Sequence, residues 1–557
     1  MKKKYLLILI FLLAFFLRFY KLGQVPPGLN WDEVAIGYDA YSILKTGKDQ
    51  YGQTLPIIFR SLDDYKPPMA EYLAILPIAI FGLNGFAVRF PSAFLGSLTV
   101  LLTYFLVKEI FQKQKFRKWG QQIKADDIAL LSAFFLSISS WHLQFSRAAF
   151  EVTISLFMLV LAVLFFFKGF KKEKYFYFSA IIFGLGLFSY HSARVVFPLI
   201  FASLVLIYQK ELFSNYKQQI IKAGLLFALI FVCFLPFMFS AEVQIRFKVM
   251  NDLDFDGARA ASAENILIDQ KAGSLFWGRI FHNRRLAIFN WENLFKIFRN
   301  YFLHFTPEFL FIKAGFRMCQ VPGHGLISFW EAPFLILGFI SFLLFFINRR
   351  TLILFIWFLT GPLPASVTWQ APHPVRTMLF LPTFQILTSI GVLVFVKWVK
   401  KEFLKSLALI IFAILTMFLF YNVTYYLHQY YVHLRFENSQ EWLYGREQLA
   451  KFAWSVKDDY DKVVVSTSLE QPHAFFLFYL KYDPVKYLEE GGTVSGGFRE
   501  YRNKFDQFEF YLFDYEKDRE KGNLLFIGLP DEFPREAKII KTIYYLNGDE
   551  AFKIAES

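Results

Sequence analysis

The sequence predicts a mainly α-helical, polytopic membrane bundle of about eleven spans, with interfacial helices in its outer loops and a small C-terminal α/β extracytoplasmic domain. Three observations predict it. The 557 residues are 55% hydrophobic and include 73 phenylalanines, more than a soluble core of this size needs. Apolar runs of roughly 17–25 residues recur up to residue 428. The lysines and arginines between them sit in short clusters that all fall on one side of the membrane when the runs alternate in direction. That pattern accounts for the formal net charge of +14, so nucleic acid, which needs a continuous basic stripe, is excluded as a partner.

The first span is the run from Tyr5 to Leu17 behind Lys2, Lys3 and Lys4. It lacks a small-x-small cleavage site and is followed by Arg18, Tyr20 and Lys21, so it reads as a retained span with a cytoplasmic N-terminus. Together with this one, near 5–20, spans are expected near 88–111, 127–143, 150–168, 175–190, 194–209, 222–240, 327–347, 351–369, 376–396 and 406–427. The basic joints at 112–124, 168–174, 210–222, 349–350 and 397–405 then share the side of Lys2 to Lys4. Two apolar segments do not fit as crossings: Met69 to Phe81, which contains Pro77, and Phe298 to Ile312, which contains His304 and Pro307. They read as helices lying in the outer interface. From Gln429 the composition becomes mixed and charged. Strands are expected at 463–465, 508–513, 524–527 and 539–545, and helices at 440–456 and 472–482. The division is a membrane domain over 1–428 and an extracytoplasmic α/β domain over 429–557. Cys233 and Cys319 make no disulfide framework or cysteine zinc site.

Candidate site residues cluster in the outer loops. Asp32 and Glu33 follow the Pro26-Pro27-Gly28 turn. A carboxylate near a dry surface suits a general base, and neighbours on a helix point about 100° apart, so Asp32 takes that role and Glu33 supports it. As plain helix N-terminal acids both would simply favour the dipole. Asp63-Asp64-Tyr65-Lys66-Pro67-Pro68 mounts an ammonium on a rigid, extended segment at headgroup depth, where a lipid phosphate lies. Arg147 and Glu151 are four apart at the start of the fourth span and are expected to pair on one helix face. Two outer joints, Tyr190-His191-Ser192-Ala193-Arg194 and Pro372-His373-Pro374-Val375-Arg376, each present an imidazole and a guanidinium. None of His191, His282, His304, His324 and His373 shows a paired ligand spacing. A divalent ion held by Asp32, Glu33 or Glu151 with a histidine stays open, and no cofactor is certain.

Leu17-Arg18-Phe19-Tyr20-Lys21-Leu22-Gly23, Trp31-Asp32-Glu33, Tyr65-Lys66-Pro67-Pro68, Phe81-Gly82, Val88-Arg89-Phe90-Pro91-Ser92 and Arg376 to Pro382 occur in an order that resembles the C-type membrane glycosyltransferases. The resemblance is to the protein O-mannosyltransferase and lipid A aminoarabinose transferase group, and it spans roughly residues 5 to 400. It implies a helical bundle with interfacial helices and a donor sugar carried on a polyprenyl phosphate. It implies Asp32 in catalysis, with Glu151 as a second acidic residue where many relatives have aspartate. Lys66 and Arg376 correspond to basic contacts to the lipid phosphate, and Arg194 lies where relatives carry basic residues.

The expected function is therefore transfer of a sugar, with inversion, to a protein, lipid or glycan acceptor at the outer face of a bacterial cell membrane. Asp32 is the general base, Lys66, Arg376 and Arg194 stabilise the departing phosphate, and Glu151, Arg147, His191, Tyr65 and His373 support the site. The rival reading is a transporter or lipid flippase. That class places ionisable groups near mid-membrane and often shows repeated halves, and neither pattern is visible here.

Overall fold

A computed structural model of the chain describes residues 2–61, 64–112, 116–118, 121–238, 240, 251–283, 290–497 and 499–557. Asp63, Lys113 and Lys115 lie outside the described residues. The chain opens with α1 (Lys2–Phe19) and, after a loop, α2 (Trp31–Thr46). A short antiparallel hairpin, β1 (Phe59–Ser61) and β2 (Asp64–Lys66), pairs Phe59 with Lys66 and leads into α3 (Met69–Phe81) and α4 (Gly85–Phe111). A second hairpin, β3 (Phe116–Lys118) and β4 (Gln121–Ile123), precedes α5 (Ala125–Ile138), α6 (Ser140–Phe145), α7 (Glu151–Gly169), α8 (Lys174–Gly186), α9 (Ala193–Asn215) and α10 (Lys217–Met238).

Among the described residues seven helices are long and apolar enough to cross a membrane: Gly85–Phe111, Glu151–Gly169, Ala193–Asn215, Lys217–Pro236, Phe329–Phe346, Thr383–Glu402 and Lys405–Glu437. They match seven of the expected spans. The run 5–20 is α1, an apolar helix bracketed by Lys3, Lys4 and Arg18. The other three are interrupted. The run 127–143 breaks at Ser139, whose extended backbone ends α5 and whose hydroxyl accepts from the His142 amide to start α6. The run 351–369 breaks at Gly361-Pro362, where proline has no N–H to continue the helical ladder. The run 175–190 stops at Gly186, where any Cβ would overlap the Phe197 ring of α9. The expected span at 376–396 begins only at Thr383, after Pro382.

The segment expected at 298–312 is instead an amphipathic helix, Trp291–Leu303, followed by a π-turn over Glu308–Ile312. It buries Asn293 and Asn300 and exposes Trp291, Phe295, Phe298 and Phe302. An inverted helix of this kind, polar inside and aromatic outside, suits a membrane interface.

Sequence-distant basic joints meet at one end of the bundle. Lys3 lies 2.7 Å from Asp127 and Lys108 lies 2.9 Å from Asp126. Lys171 lies 2.6 Å from Glu109, whose carbonyl accepts from Arg350 at 3.0 Å. Arg349 pairs with Glu211. The N-terminus of α2, the end of β2 and the N-terminus of α7 lie at the other end, beyond the far termini of these same helices.

After the long helix that runs to Glu437, a six-stranded sheet has the order β6-β7-β5-β8-β10-β9, with β5 Lys462–Val465, β6 Lys504–Phe505, β7 Phe508–Phe510, β8 Leu524–Gly528, β9 Lys538–Tyr544 and β10 Glu550–Glu556. β5 is parallel to both β7 and β8, while β10 runs antiparallel to β8 and to β9. Val463 and Val465 enter the core under the Arg446–Val456 and Pro472–Leu480 helices, and Val464 faces a second core with Phe526 and Tyr515. A strand covered on both faces reads as an unbroken apolar run, which is why Val463-Val464-Val465 is legible as a strand. β6 and β10, unforeseen from the sequence, carry alternating or charged residues. The Pro472–Leu480 helix packs on α2: a Cβ at Gly37 would overlap the Phe478 ring, and Tyr38 Oη donates to the Tyr482 carbonyl at 3.2 Å.

The Phe329–Phe346 and Thr383–Glu402 helices meet backbone to backbone. A Cβ at Gly338 would overlap the Leu387 carbonyl, and one at Gly391 the Phe334 carbonyl. Small residues permit this approach in membrane bundles. Gly391→Leu is expected to destabilise the protein by about 3 kcal/mol, the upper range for overpacking, because backbone cannot rotate away. Thermal unfolding of detergent-purified protein checks this; an unchanged melting temperature would refute the close crossing.

Candidate active site at the Asp32 end of the bundle

Three buried arginines set the site's frame, and each uses all five of its N–H donors. Arg18 donates from Nε to Ser146 Oγ, from Nη1 to the Ala14 and Ser137 carbonyls, and from Nη2 to the Leu136 carbonyl and His142 Nδ1. Arg147 donates to Tyr430 Oη and to the carbonyls of Leu17, Arg18, Tyr20 and Val25. Arg89, near the start of α4, donates to the carbonyls of Leu22, Pro26 and Gly28 and forks onto Glu33, with Nε 2.7 Å from Oε1 and Nη2 3.0 Å from Oε2. The planar guanidinium suits this work, since its fork is rigid and stays charged when buried.

Glu33 is equally saturated. Beyond Arg89, its Oε1 accepts from the Ala149 amide at 3.1 Å and its Oε2 from the Asn30 amide at 3.1 Å. Asn30 Oδ1 returns a bond from the Glu33 amide at 2.8 Å, which completes a capping box on α2. All four acceptor positions of this fully buried carboxylate are taken. The catalytic role expected for Glu33 therefore does not fit its surroundings, because no lone pair remains for a substrate proton. It is a positioning residue that ties α2 to α4 and to the approach to α7.

Asp32, one residue earlier, points elsewhere, as the helical angle requires. Its Oδ1 lies 2.6 Å from Lys66 Nζ, and Glu151 Oε1 lies 3.7 Å from the same nitrogen. Lys66 and Glu151 are each 7% exposed, whereas Asp32 is 43% exposed and so opens toward solvent. Lys66 ends the β1–β2 hairpin and is followed by Pro67 and Pro68, so its backbone is braced on both sides. Glu151 is the first residue of α7, where a carboxylate is favoured by the helix dipole. Tyr65 stands half-buried on the strand beside Lys66.

Other expected members take partners of their own. Arg147 and Glu151 do not pair: the chain turns between them, α7 begins only at Glu151, and every Arg147 donor is used elsewhere. The i, i+4 rule presupposes a continuous helix that is not there. The two histidine–arginine joints do meet, since Ser192 Oγ donates to the Arg376 carbonyl at 2.7 Å. Arg376 donates from Nη1 to Thr368 Oγ1 and the Trp369 carbonyl, and Arg194 lies over the Phe234 ring. The His373 amide donates to His304 Nε2 at 3.1 Å, while His304 Nδ1 bonds the Asn300 carbonyl at 2.8 Å, which assigns the His304 proton to Nδ1. His191 stands half-buried in its joint, stacked edge-on with Tyr190.

The donor set does not suit a divalent ion. The ammonium of Lys66 fills the space between Asp32 and Glu151, and Arg89 saturates Glu33. Among the described residues no group of three His, Cys, Asp or Glu side chains is placed to hold a metal.

Two residues of consequence were given no role in the site by sequence reasoning. Arg89 is legible only as a charge inside an apolar helix, which must be paired to be tolerated. Glu71, in the first turn of α3, is 1% exposed and leaves Oε2 without a hydrogen bond. Burial, and then the nearby charge of Glu151, raise its carboxyl well above the ordinary range, with Lys66 opposing. Its signal was an acid in an otherwise apolar run directly behind Lys-Pro-Pro.

Residues 65–238 match the family described as dolichyl-phosphate-mannose-protein mannosyltransferase. An uncharacterized protein of Aquifex aeolicus (strain VF5) is 30% identical over 216 residues, which is 38% of this chain and 40% of that protein. YkcB of Bacillus subtilis (strain 168), named as a candidate mannosyltransferase, is 24% identical over 156 residues, 28% of this chain and 20% of its own. The chain thus spans less than half the length of either relative. ArnT from Cupriavidus metallidurans superposes on 99% of this chain and 97% of its own, with a TM-score of 0.51 at 10% identity. Its form bound to undecaprenyl phosphate superposes equally well, with a TM-score of 0.51. At that identity the likeness is one of fold.

Two outcomes are expected. Arg89→Leu strands the Glu33 charge and should cost about 3–5 kcal/mol, whereas Asp32→Asn at a half-open position should cost about 1 kcal/mol; chemical unfolding of both variants compares them. A buried carboxyl with a raised pKa binds its proton more tightly folded than unfolded. Its contribution is complete below the unfolded value and is lost as pH rises through the folded one. Glu71→Gln should therefore flatten the fall in melting temperature as pH rises from the ordinary glutamate range. A slope identical to the parent would remove Glu71 as its source.

By sequence over residues 65–238 and by fold over its whole length, the protein is a membrane protein that resembles the mannosyltransferase-like C-type membrane glycosyltransferases.

Proposed function

We propose that the chain transfers a sugar from a polyprenyl phosphate to an acceptor hydroxyl at the non-cytoplasmic face of the membrane. The observation that carries this is the meeting of Asp32, Lys66 and Glu151, from three distant segments, with Lys66 2.6 Å from Asp32 and 3.7 Å from Glu151. A half-open carboxylate beside a buried ammonium supplies both halves of a glycosyl transfer. The acceptor hydroxyl gives its proton to Asp32 while its oxygen attacks the anomeric carbon from the face opposite the lipid phosphate, so the configuration inverts. The bond from that carbon to the phosphate oxygen breaks, and its electron pair leaves with the phosphate.

An ammonium carries three N–H donors. Held beside Asp32 and Glu151, it is assigned to the departing phosphate, whose growing charge it stabilises. Glu151 keeps Lys66 from following the phosphate outward. Arg376 and Arg194, in the joints tied by Ser192, are assigned to the lipid phosphate from the neighbouring wall, with His191 and His373 holding those joints and Tyr65 flanking Lys66. The acceptor is a protein, lipid or glycan hydroxyl. The relation to ArnT, whose structure holds undecaprenyl phosphate, supports a donor of this class.

Membranes containing the protein should release sugar from a labelled polyprenyl-phosphate donor. Asp32→Asn should lower kcat by about a hundred- to ten-thousand-fold, the range for a general base. Lys66→Gln should raise KM for the lipid donor and lower kcat together, since it touches the phosphate both before and during departure. Full transfer by Asp32→Asn would remove the base, and transfer from a nucleotide sugar would overturn the donor class.

A further inference from the structure

A second polar cleft, of about 670 Å³, opens at the same end of the bundle and shares no residue with the Asp32–Lys66–Glu151 triplet. One wall is the end of α1 and the turn into α4, with Phe19, Lys21, Asn84 and Phe86. The other comes from the C-terminal unit, with Glu447, Lys451, Tyr479 and Lys481. Leu22, Gly23 and Gln24, at the start of the backbone clasped by Arg89, line the floor of the cleft.

The charge on these walls is unbalanced. Lys451 is matched by Glu447 at 2.6 Å, but Lys21 and Lys481 have no ion-pair partner among the described residues. Both lysines also occupy left-handed backbone, with φ of 52° and 50°. Lys481 caps the Pro472–Leu480 helix at a position where glycine is the unstrained choice, and Lys21 follows α1 in the same conformation. A non-glycine residue there costs of order 1 kcal/mol. Two such positions, both filled by lysine and both facing one cleft, indicate that the side chain rather than the turn is what the site requires.

Below the cleft an aromatic ladder descends between the helices. Phe19 and Phe15 of α1 stack at 4.2 Å, Phe19 meets Phe90 of α4 at 5.3 Å, and Phe90 stacks on Phe94 at 5.9 Å. Phe81 of α3 closes the top against Phe86 at 5.2 Å. Phe15, Phe81 and Phe94 remain exposed, so the ladder faces lipid rather than core. Along α4 the step from Phe86 to Phe94 covers about 12 Å of depth at 1.5 Å per residue.

We propose that this cleft binds the phosphate-bearing head of an anionic glycerophospholipid, with an acyl chain lying along the phenylalanine ladder. Two unmatched ammonium groups at headgroup level recognise the phosphate charge, and the apolar stripe beneath them selects an amphiphile over a free anion. Because Lys21 belongs to the membrane bundle and Lys481 to the C-terminal unit, the bound head bridges the two.

Native mass spectrometry of the detergent-purified full chain tests this, with dioleoylphosphatidylglycerol and dioleoylphosphatidylcholine as probes. The parent should retain one phosphatidylglycerol at concentrations where phosphatidylcholine washes out. A double variant, Lys21→Gly with Lys481→Gly, suits the left-handed backbone and should keep or raise the melting temperature while weakening phosphatidylglycerol retention at least tenfold. Lys21→Arg with Lys481→Arg should keep the retention. Equal retention of the two lipids, undiminished retention by the glycine variant, or displacement by excess inorganic phosphate would each overturn the proposal. Competition by undecaprenyl phosphate that depends on Lys21 and Lys481 would overturn it too, by making the cleft a polyprenyl site.

Discussion

The buried fork between Arg89 and Glu33 is the constraint on which the site depends. An isolated charge in this interior would be prohibitively expensive, so the pair survives only because every donor and acceptor on both side chains is used. That completeness makes it a reference point for geometry. Arg89 belongs to α4, Glu33 to α2, and the Ala149 amide to the turn before α7. Fixing these three to one another fixes where Asp32 and Glu151 begin, because each is within two residues of a clasped atom. Arg18 and Arg147 extend the same scheme by gathering the carbonyls of residues 14–25, so a loop without regular structure is held as firmly as a helix.

Rigidity on one side is matched by exposure on the other. Lys66 is braced by a hairpin before it and a proline pair after it, and it faces two carboxylates of unequal accessibility. The buried one, Glu151, has little freedom; the exposed one, Asp32, opens to solvent and can move without disturbing the frame. Adjacent residues of α2 thus divide the labour, with Glu33 immobile and Asp32 available. Their separation around the helix axis makes the division unavoidable once Glu33 is buried.

The bundle was largely legible because hydropathy and basic joints answer to the membrane, which acts uniformly along the chain. Where the runs 127–143 and 351–369 failed as single helices, the cause was local: a serine able to end one helix and start another, and a Gly-Pro step. Asp32 and Lys66 were each legible as a candidate because each stands out from its neighbours, in a Trp-Asp-Glu opening and a Lys-Pro-Pro mount. Glu33, Arg147 and Arg89 were not, because their roles lie in backbone carbonyls and amides far away in sequence, and carbonyls leave no trace in residue identity. The expected Arg147–Glu151 pair failed for the same reason, since spacing says nothing about where a helix begins. Of the C-terminal unit, the strands written as apolar runs, β5, β7, β8 and β9, were visible; β6, of two residues, and β10, interrupted by charges at Glu550, Lys553 and Glu556, were not.

The seat of the Pro472–Leu480 helix on α2 has a consequence for biogenesis. Tyr38 and Tyr482 are 444 residues apart yet hydrogen-bonded. At about 5–20 residues per second, roughly 20 to 90 seconds of translation separate the emergence of α2 from that of its cover. During that interval α2 is held by the arginine clasp and by its packing on α3 and α4, while the flank of Gly37 that Phe478 later covers lies bare. Such an arrangement makes the C-terminal unit an intramolecular chaperone for the first outer helix, whose packing is complete only once the Pro472–Leu480 helix has been made.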